Sequence, residues 1–497
     1  MFNLQNNKTN RHPELSEGMT EIMTHKVHQV PHFALSCIVL LSTFASISLG
    51  LLVFHWNIDG LLLILIFALC LVTWKLGYSF NEIIKMIIGE VVNSLPALFI
   101  LMFVSITIGC WILSGTIPTM ISLGLEYLEP ESLLLTTFII SSLTSVILGS
   151  SWGTIGTIGL VVISLAQASG VSVAMTAGAV ISGACFGDKI SPLSDTTNLA
   201  SLASNVSLSQ HIRSMLLTTI PAYIIVFLIF LSWGDYAVHE VVPASNIASL
   251  QEELQSEFLI SPITFLPVLV LIVLGCMRKG ALVILAAGIC TSGIIAFFLQ
   301  GVRFTEFLQV IDYGYQSVGE HSDIFLQIVN RGGVMSMMSI FVFTMLVISV
   351  GGLLNHVGFL RVVVQYFVEK IQRPAGVVAS TIVTTMVCAM ATGDSYMPII
   401  LTGKLFQDIY NKMGIHRSVL SRCCEDGATL FVPIIPWSAT AIYFSGALGV
   451  ATIEYLPYAI FCWLNPIVSI FMSFCTIGLI SCNEDGSQRF FFQNNRQ

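Results

Sequence analysis

Ten stretches of this chain are apolar almost end to end: 33–54, 58–78, 92–114, 132–149, 211–233, 258–277, 280–300, 333–354, 375–392 and 457–480. Each approaches or exceeds the ~20 residues that a helix needs to cross a bilayer. A chain patterned in this way has too little polar surface to fold as a soluble body. Only 10% of its residues are charged and its mean hydropathy is +0.86, whereas about a quarter of an ordinary soluble domain is charged. The expected partner is therefore the lipid bilayer, and the net charge of −8 offers nothing for nucleic acid to bind. The 12 cysteines are scattered, with no C-x-x-C pair, and read as reduced, small apolar residues rather than as disulfides or metal ligands.

Four further segments, 154–169, 173–187, 396–411 and 418–436, are apolar but interrupted by Gly, Pro, Ser, Thr or carboxylates. Irregular backbone at membrane depth survives only where protein or a water-filled cavity surrounds it. These four segments are expected inside and the smooth ones outside. The expectation is an all-α polytopic membrane protein with broken helices and re-entrant hairpins, in roughly 11–14 membrane segments.

The placement of Lys and Arg orients the chain. Lys8, Arg11 and Lys26 put the N-terminal tail in the cytoplasm, and Lys75 with Lys85, Arg278 with Lys279, and Arg361, Lys370 and Arg373 mark inside turns. The turn 115–131 and the acidic stretch 234–257 lack basic residues and read as outside. Arg303 and Arg331 fall on the outer side and run against the rule. The resulting division is a disordered cytoplasmic tail over 1–31 with no cleavable signal pattern, a membrane repeat over 32–233, an acidic external loop over 234–257, a second membrane repeat over 258–480 and a cytoplasmic tail over 481–497. This places a multi-pass protein in the cytoplasmic (inner) membrane with both termini inside.

The word "repeat" rests on an internal match. Shifted by 244 residues, 149–201 falls on 393–445 without a gap and with 12 identities, among them Gly149 on Gly393, Gly183 on Gly427 and Pro192 on Pro436. The first helix of one half runs outward, and its counterpart ends at Arg278 and Lys279, so the halves are read as inverted. Inverted repeats whose interrupted helices meet at mid-membrane are a secondary-transporter architecture.

The run SGACFGDKISPLSDTTNLAS, Ser182 to Ser201, closes an apolar segment yet carries Asp188, Lys189, Ser191, Ser194, Asp195, Thr196, Thr197 and Asn198. A charge at the centre of a span costs at least ~2.5–3.5 kcal/mol and is kept when it has work to do. Pro192 breaks the helix beside these groups, freeing carbonyls next to carboxylate and hydroxyl oxygens, the donor set a hard cation prefers. In the other half, Asp394 and Ser395 precede Pro398, and Ser438 and Thr440 follow Pro436. The acids are not shared between the copies: Asp188 falls on Val432, Asp195 on Ala439 and Ser150 on Asp394. That asymmetry points to one site assembled from both halves. A proton and a sodium ion would compete for a desolvated carboxylate, with Asp195, Asp394 and Asp188 as proton carriers and Asp195, Asp394 and Thr196 as sodium ligands. Two bland readings stand beside this: Lys189 neutralising Asp188, and Glu425 with Asp426 pairing Arg417 or Arg422.

The Ser182–Ser201 run resembles the NhaC-type sodium/proton antiporter family. SSWGTIGTIG at Ser150, RGGVMSMM at Arg331, GGLLNHVG at Gly351, GDSYMPIILTGKLF at Gly393 and SRCCEDGATLFVPIIPW at Ser421 resemble it too, over about residues 30–480. The resemblance implies an ion-transporter fold of inverted repeats, commonly a homodimer, that exchanges Na+ for H+ without a cofactor. One branch exchanges organic acids, malate for lactate. Ser395, Ser438 and Cys185 depart from the family's usual Gln, Asn and Tyr. The two readings carried forward are sodium/proton exchange and, as the alternative, coupled transport of a small organic acid or amino acid.

Overall fold

The computed structural model describes residues 30–54, 56–238, 244–277, 279–368, 373–482 and 488–490. Nearly all of the expected N-terminal tail, Arg278, Lys370 and much of the C-terminal tail lie outside the described residues. Within them, nine helices are long and apolar enough to cross a membrane, or up to 11 if two sharply bent pairs each count as one span; Leu282–Phe298 and Ile460–Phe474 are shorter apolar helices.

The duplication is visible in the backbone, residue for residue. Gly149 (φ 66°) and Gly393 (φ 65°) both turn left-handed at the ends of the Leu133–Leu148 and Pro374–Thr392 helices. Gly170 pairs in the same way with Gly414, and Asn205 (φ 55°) with Gly449 (φ 72°). Ser194 and Ser438 each cap the following helix, Asp195–Ala203 and Ala439–Leu448. The isolated bridges match to within one residue: Val171 to Val238 in one copy, Ile415 to Ser481 in the other. The shared small residues therefore encode a shared set of breaks.

The repeats are units of sequence and not of packing. One hydrophobic core joins the middle of repeat one to Tyr443, Phe444 and Phe461 of repeat two, and takes in Leu271, Ile284 and Leu285. The other joins the middle of repeat two, from Phe343 to Trp437, to Val39, Leu40, Leu62 and Leu69. Each repeat thus lends its first two helices to the core of the other. Outward faces such as Ile38, Leu63, Phe67, Leu228 and Phe471 stay exposed, as a lipid-facing surface must.

Three stretches read as connections contain structure. The turn 115–131 holds the helix Thr116–Tyr127, because Gly115 (φ 77°) reverses the chain at once and Ile117 and Ile121 then reach the core. The acidic stretch 234–257 holds the helix Ala244–Glu257, anchored by buried Leu250 and Leu254 at a spacing of one turn. In the C-terminal stretch, Ile480–Cys482 pairs antiparallel with Gln488–Phe490, and the His416 N–H donates to the Ile480 carbonyl at 2.8 Å.

Close helix packing depends on glycine at related positions. A Cβ at Gly183 would sit 2.4 Å from the Phe138 carbonyl oxygen, and one at Gly427 2.6 Å from that of Ile382. Small residues let membrane helices approach backbone to backbone. Gly183→Ala and Gly427→Ala should each cost about 1–3 kcal/mol by overpacking, read as a lower midpoint of thermal unfolding in detergent; unchanged midpoints would mean the helices are not held this tightly.

Candidate functional site

Four helices begin at one place, two from each repeat. Ser151 opens a helix that passes through a π-helical stretch, Ile155–Gly159, into Leu160–Ala168. Asp195–Ala203 starts after the four-residue break Ser191–Ser194 that Pro192 enforces. Tyr396–Leu405 follows Gly393, and Ala439–Leu448 follows a bend of 44° from the Arg417–Ile434 segment. Between these starts lies a cavity of about 430 Å³, at the seam of the two cores. It is lined by Ser150, Ser151, Asp188, Asp195, Thr196, Asp394, Ser395, Tyr396, Thr429 and Thr440, with Glu90 entering from the long helix Phe80–Leu113.

Several backbone N–H groups of these helix starts are occupied by the chain itself. The Ser151 N–H and hydroxyl both donate to Asp188 Oδ2, at 3.1 and 2.6 Å. Asp394 Oδ2 accepts from the Tyr396 and Met397 N–H groups at 2.9 and 3.3 Å. Ser150, which falls on Asp394 in the repeat, does the same work with a hydroxyl, accepting from the Gly153 N–H at 3.2 Å. Asp195 Oδ1 accepts from the Thr196 N–H at 2.8 Å, and its Oδ2 accepts from the Tyr396 hydroxyl at 2.5 Å, a bond between the repeats. Ser438 Oγ accepts from the Ala441 N–H at 3.0 Å.

The lining is acidic. Glu90, Asp188, Asp195 and Asp394 supply four carboxylates, and no Lys, Arg or His is among the described lining residues. Each helix N-terminus carries about +0.5 of an elementary charge, so the four starts favour negative charge on the carboxylates they face. Asp188 Oδ1 and Thr429 Oγ1 are buried without a hydrogen-bond partner, oxygens left for a cation or its water shell to meet. Among the described residues no three His, Cys, Asp or Glu side chains converge to hold a metal.

Of the residues expected from sequence, Asp188, Asp195, Thr196, Asp394, Ser395 and Thr440 line this one cavity. The others stand behind it. Ser191 donates to the Val146 carbonyl at 2.8 Å, Asn198 donates to the Pro192 and Ser194 carbonyls, and Ser194 and Ser438 cap helices. Thr197 donates to Glu425 Oε1 at 2.9 Å. Lys189 does not neutralise Asp188: it turns to the far side and pairs with Asp426, both fully buried, where Asn465 Nδ2 also donates to Asp426 at 2.7 Å. Glu425 pairs with His211 at 3.0 Å rather than with an arginine, while Arg422 donates to the Ser214 and Gly478 carbonyls. These buried pairs tie repeat one to repeat two directly behind the cavity.

Glu90 went unread because it precedes the apolar run 92–114, although an acid beyond the first turn of a 34-residue helix was a usable signal. Its Oε1 lies 2.8 Å from His356 Nε2, and a Cβ at Gly352 would come within 2.5 Å of its Cγ. Tyr396 was also missed, since its partner Asp195 is 201 residues away.

A model of the Na+/H+ antiporter family matches residues 3–197 and 183–477. The chain belongs to the Na+/H+ antiporter family. It is 35% identical over 399 residues to the Na+/H+ antiporter NhaC of Bacillus subtilis, covering 80% of this chain and 88% of that protein. It is 35% identical over 405 residues to the NhaC of Alkalihalophilus pseudofirmus, covering 81% and 87%. The malate-2H+/Na+-lactate antiporter of Bacillus subtilis is also 35% identical, over 443 residues, covering 89% of this chain and 92% of that protein. Membership and fold agree on a multi-pass membrane antiporter, and the family contains relatives named for different cargoes.

Proposed function

We propose that this antiporter exchanges sodium for protons across the cytoplasmic membrane by alternating access, with both termini at the cytoplasmic face. The observation that carries this reading is the lining of the cavity: four carboxylates and hydroxyl oxygens, with no basic side chain among the described residues. A bound organic acid needs free donors, and several of the half-helix N–H groups that could supply them are capped by Asp188, Ser150, Asp394, Asp195 and Ser438. Asp195 and Asp394 are the groups for which sodium and proton compete, one from each repeat, and Thr196, Ser395 and Thr440 supply neutral oxygens. At about 430 Å³ the cavity holds an ion together with water, each water taking ~30 Å³.

In proteoliposomes containing a pH dye, sodium or lithium added outside should release internal protons, and choline should not. A second arm tests labelled malate, lactate and amino acids for counterflow. Absence of any sodium- or lithium-dependent pH change would remove the reading, and acid counterflow without it would install the alternative.

A further inference from the structure

Apart from the ion cavity, the chain holds a larger hollow, a cleft of about 810 Å³ between the Phe359–Val368 helix and the segment that runs from Tyr396 to Lys412. Its floor is apolar, formed by Leu401, Leu405, Ile409 and Met413. Its rim is cationic: Arg361 from one side, Lys404 and Lys412 from the other, with Asp408 as the one acid among the described lining residues. Lys404, Asp408 and Lys412 follow one another at four-residue spacing, which favours ion pairs along a helix. Yet among the described residues none of the three cations forms an ion pair. The rim is thus left with a net positive charge above a hydrophobic floor, at the end of the molecule that the Lys and Arg distribution places at the cytoplasmic face.

A free phosphate or carboxylate would satisfy the rim and leave the floor in water. A neutral lipid would cover the floor and leave the cations unmatched. We propose that this cleft seats an anionic phospholipid, with its headgroup phosphate among Arg361, Lys404 and Lys412 and its first acyl carbons on Leu401, Leu405 and Ile409. Basic pockets at the cytoplasmic ends of membrane helices recognise anionic headgroups through the same combination of charge and apolar contact. The cleft shares Met397 and Ile400 with the ion cavity. A lipid seated there lies against the partition between that cavity and the cytoplasmic face, whatever the cargo.

The test is native mass spectrometry of the purified full chain in mixed micelles containing equal phosphatidylglycerol and phosphatidylcholine. The wild type should retain phosphatidylglycerol over phosphatidylcholine by about ten-fold. The variant R361Q/K404Q/K412Q should retain the two about equally, and Arg303→Gln, which removes an exposed cation paired with Glu306, should behave as wild type. All three rim cations are exposed, so the triple variant should keep its fold, checked by an unchanged unfolding midpoint. Equal preference in wild type and triple variant would overturn the proposal. So would complete displacement of the lipid by millimolar inorganic phosphate or citrate, which would make the cleft a free-anion site.

Discussion

Asp394→Asn should abolish sodium-driven proton release while leaving the protein as stable as before. Asp394 does two things: its Oδ2 caps the helix that starts at Tyr396, and it faces the cavity with a charge. Asparagine caps a helix about as well as aspartate, so this substitution separates the two roles. Removing one partner of a desolvated charge contact costs about 2–5 kcal/mol, and the middle of that range corresponds to a loss of roughly 100-fold or more. Asp195→Asn should lose transport in the same way but with a modest loss of stability, since one amide oxygen cannot accept from both the Thr196 N–H and the Tyr396 hydroxyl. Initial rates in proteoliposomes and unfolding midpoints in detergent check both. Normal coupled transport in either variant would place that carboxylate outside the ion path.

The second large effect is structural. Lys189→Met leaves Asp426 as a fully buried acid held only by Asn465 Nδ2 among the described contacts. Breaking a buried ion pair from one side costs about 3–5 kcal/mol, whereas replacing both partners with apolar groups of similar volume is often neutral or stabilising. The single variants Lys189→Met and Asp426→Leu should therefore lose much of their thermal stability, and K189M/D426L should recover it. Transport by that double variant then tells whether the two charges act only as a clasp between the repeats. Singles as stable as wild type would show that the pair holds nothing together.

Much of this was legible because membrane burial makes polar residues conspicuous. Asp188, Asp195 and Asp394 stood out against apolar surroundings, and Pro192 and the matched glycines announced where the helices stop. What was illegible depended on contacts across long sequence separations. Lys189 has Asp188 as its neighbour in sequence and Asp426 as its neighbour in space, a choice that one-dimensional spacing cannot make. The exchange of leading helices between the repeats was hidden for the same reason, since a helix's apolar face does not say which core receives it. Ser438 looked like an ion ligand because its residue type suits one; its hydroxyl is taken up by the Val432 carbonyl at 2.6 Å and the Ala441 N–H.

Where two copies of a fold meet head to tail, a membrane can look the same from above and below. Here it does not: the same corner of the backbone is closed by an alcohol, Ser150, in one copy and by an acid, Asp394, in the other. Molecules inserted right way up and upside down should then carry unequal fluxes under mirror-image gradients, a built-in preference of direction written by carboxylates that the two copies do not share.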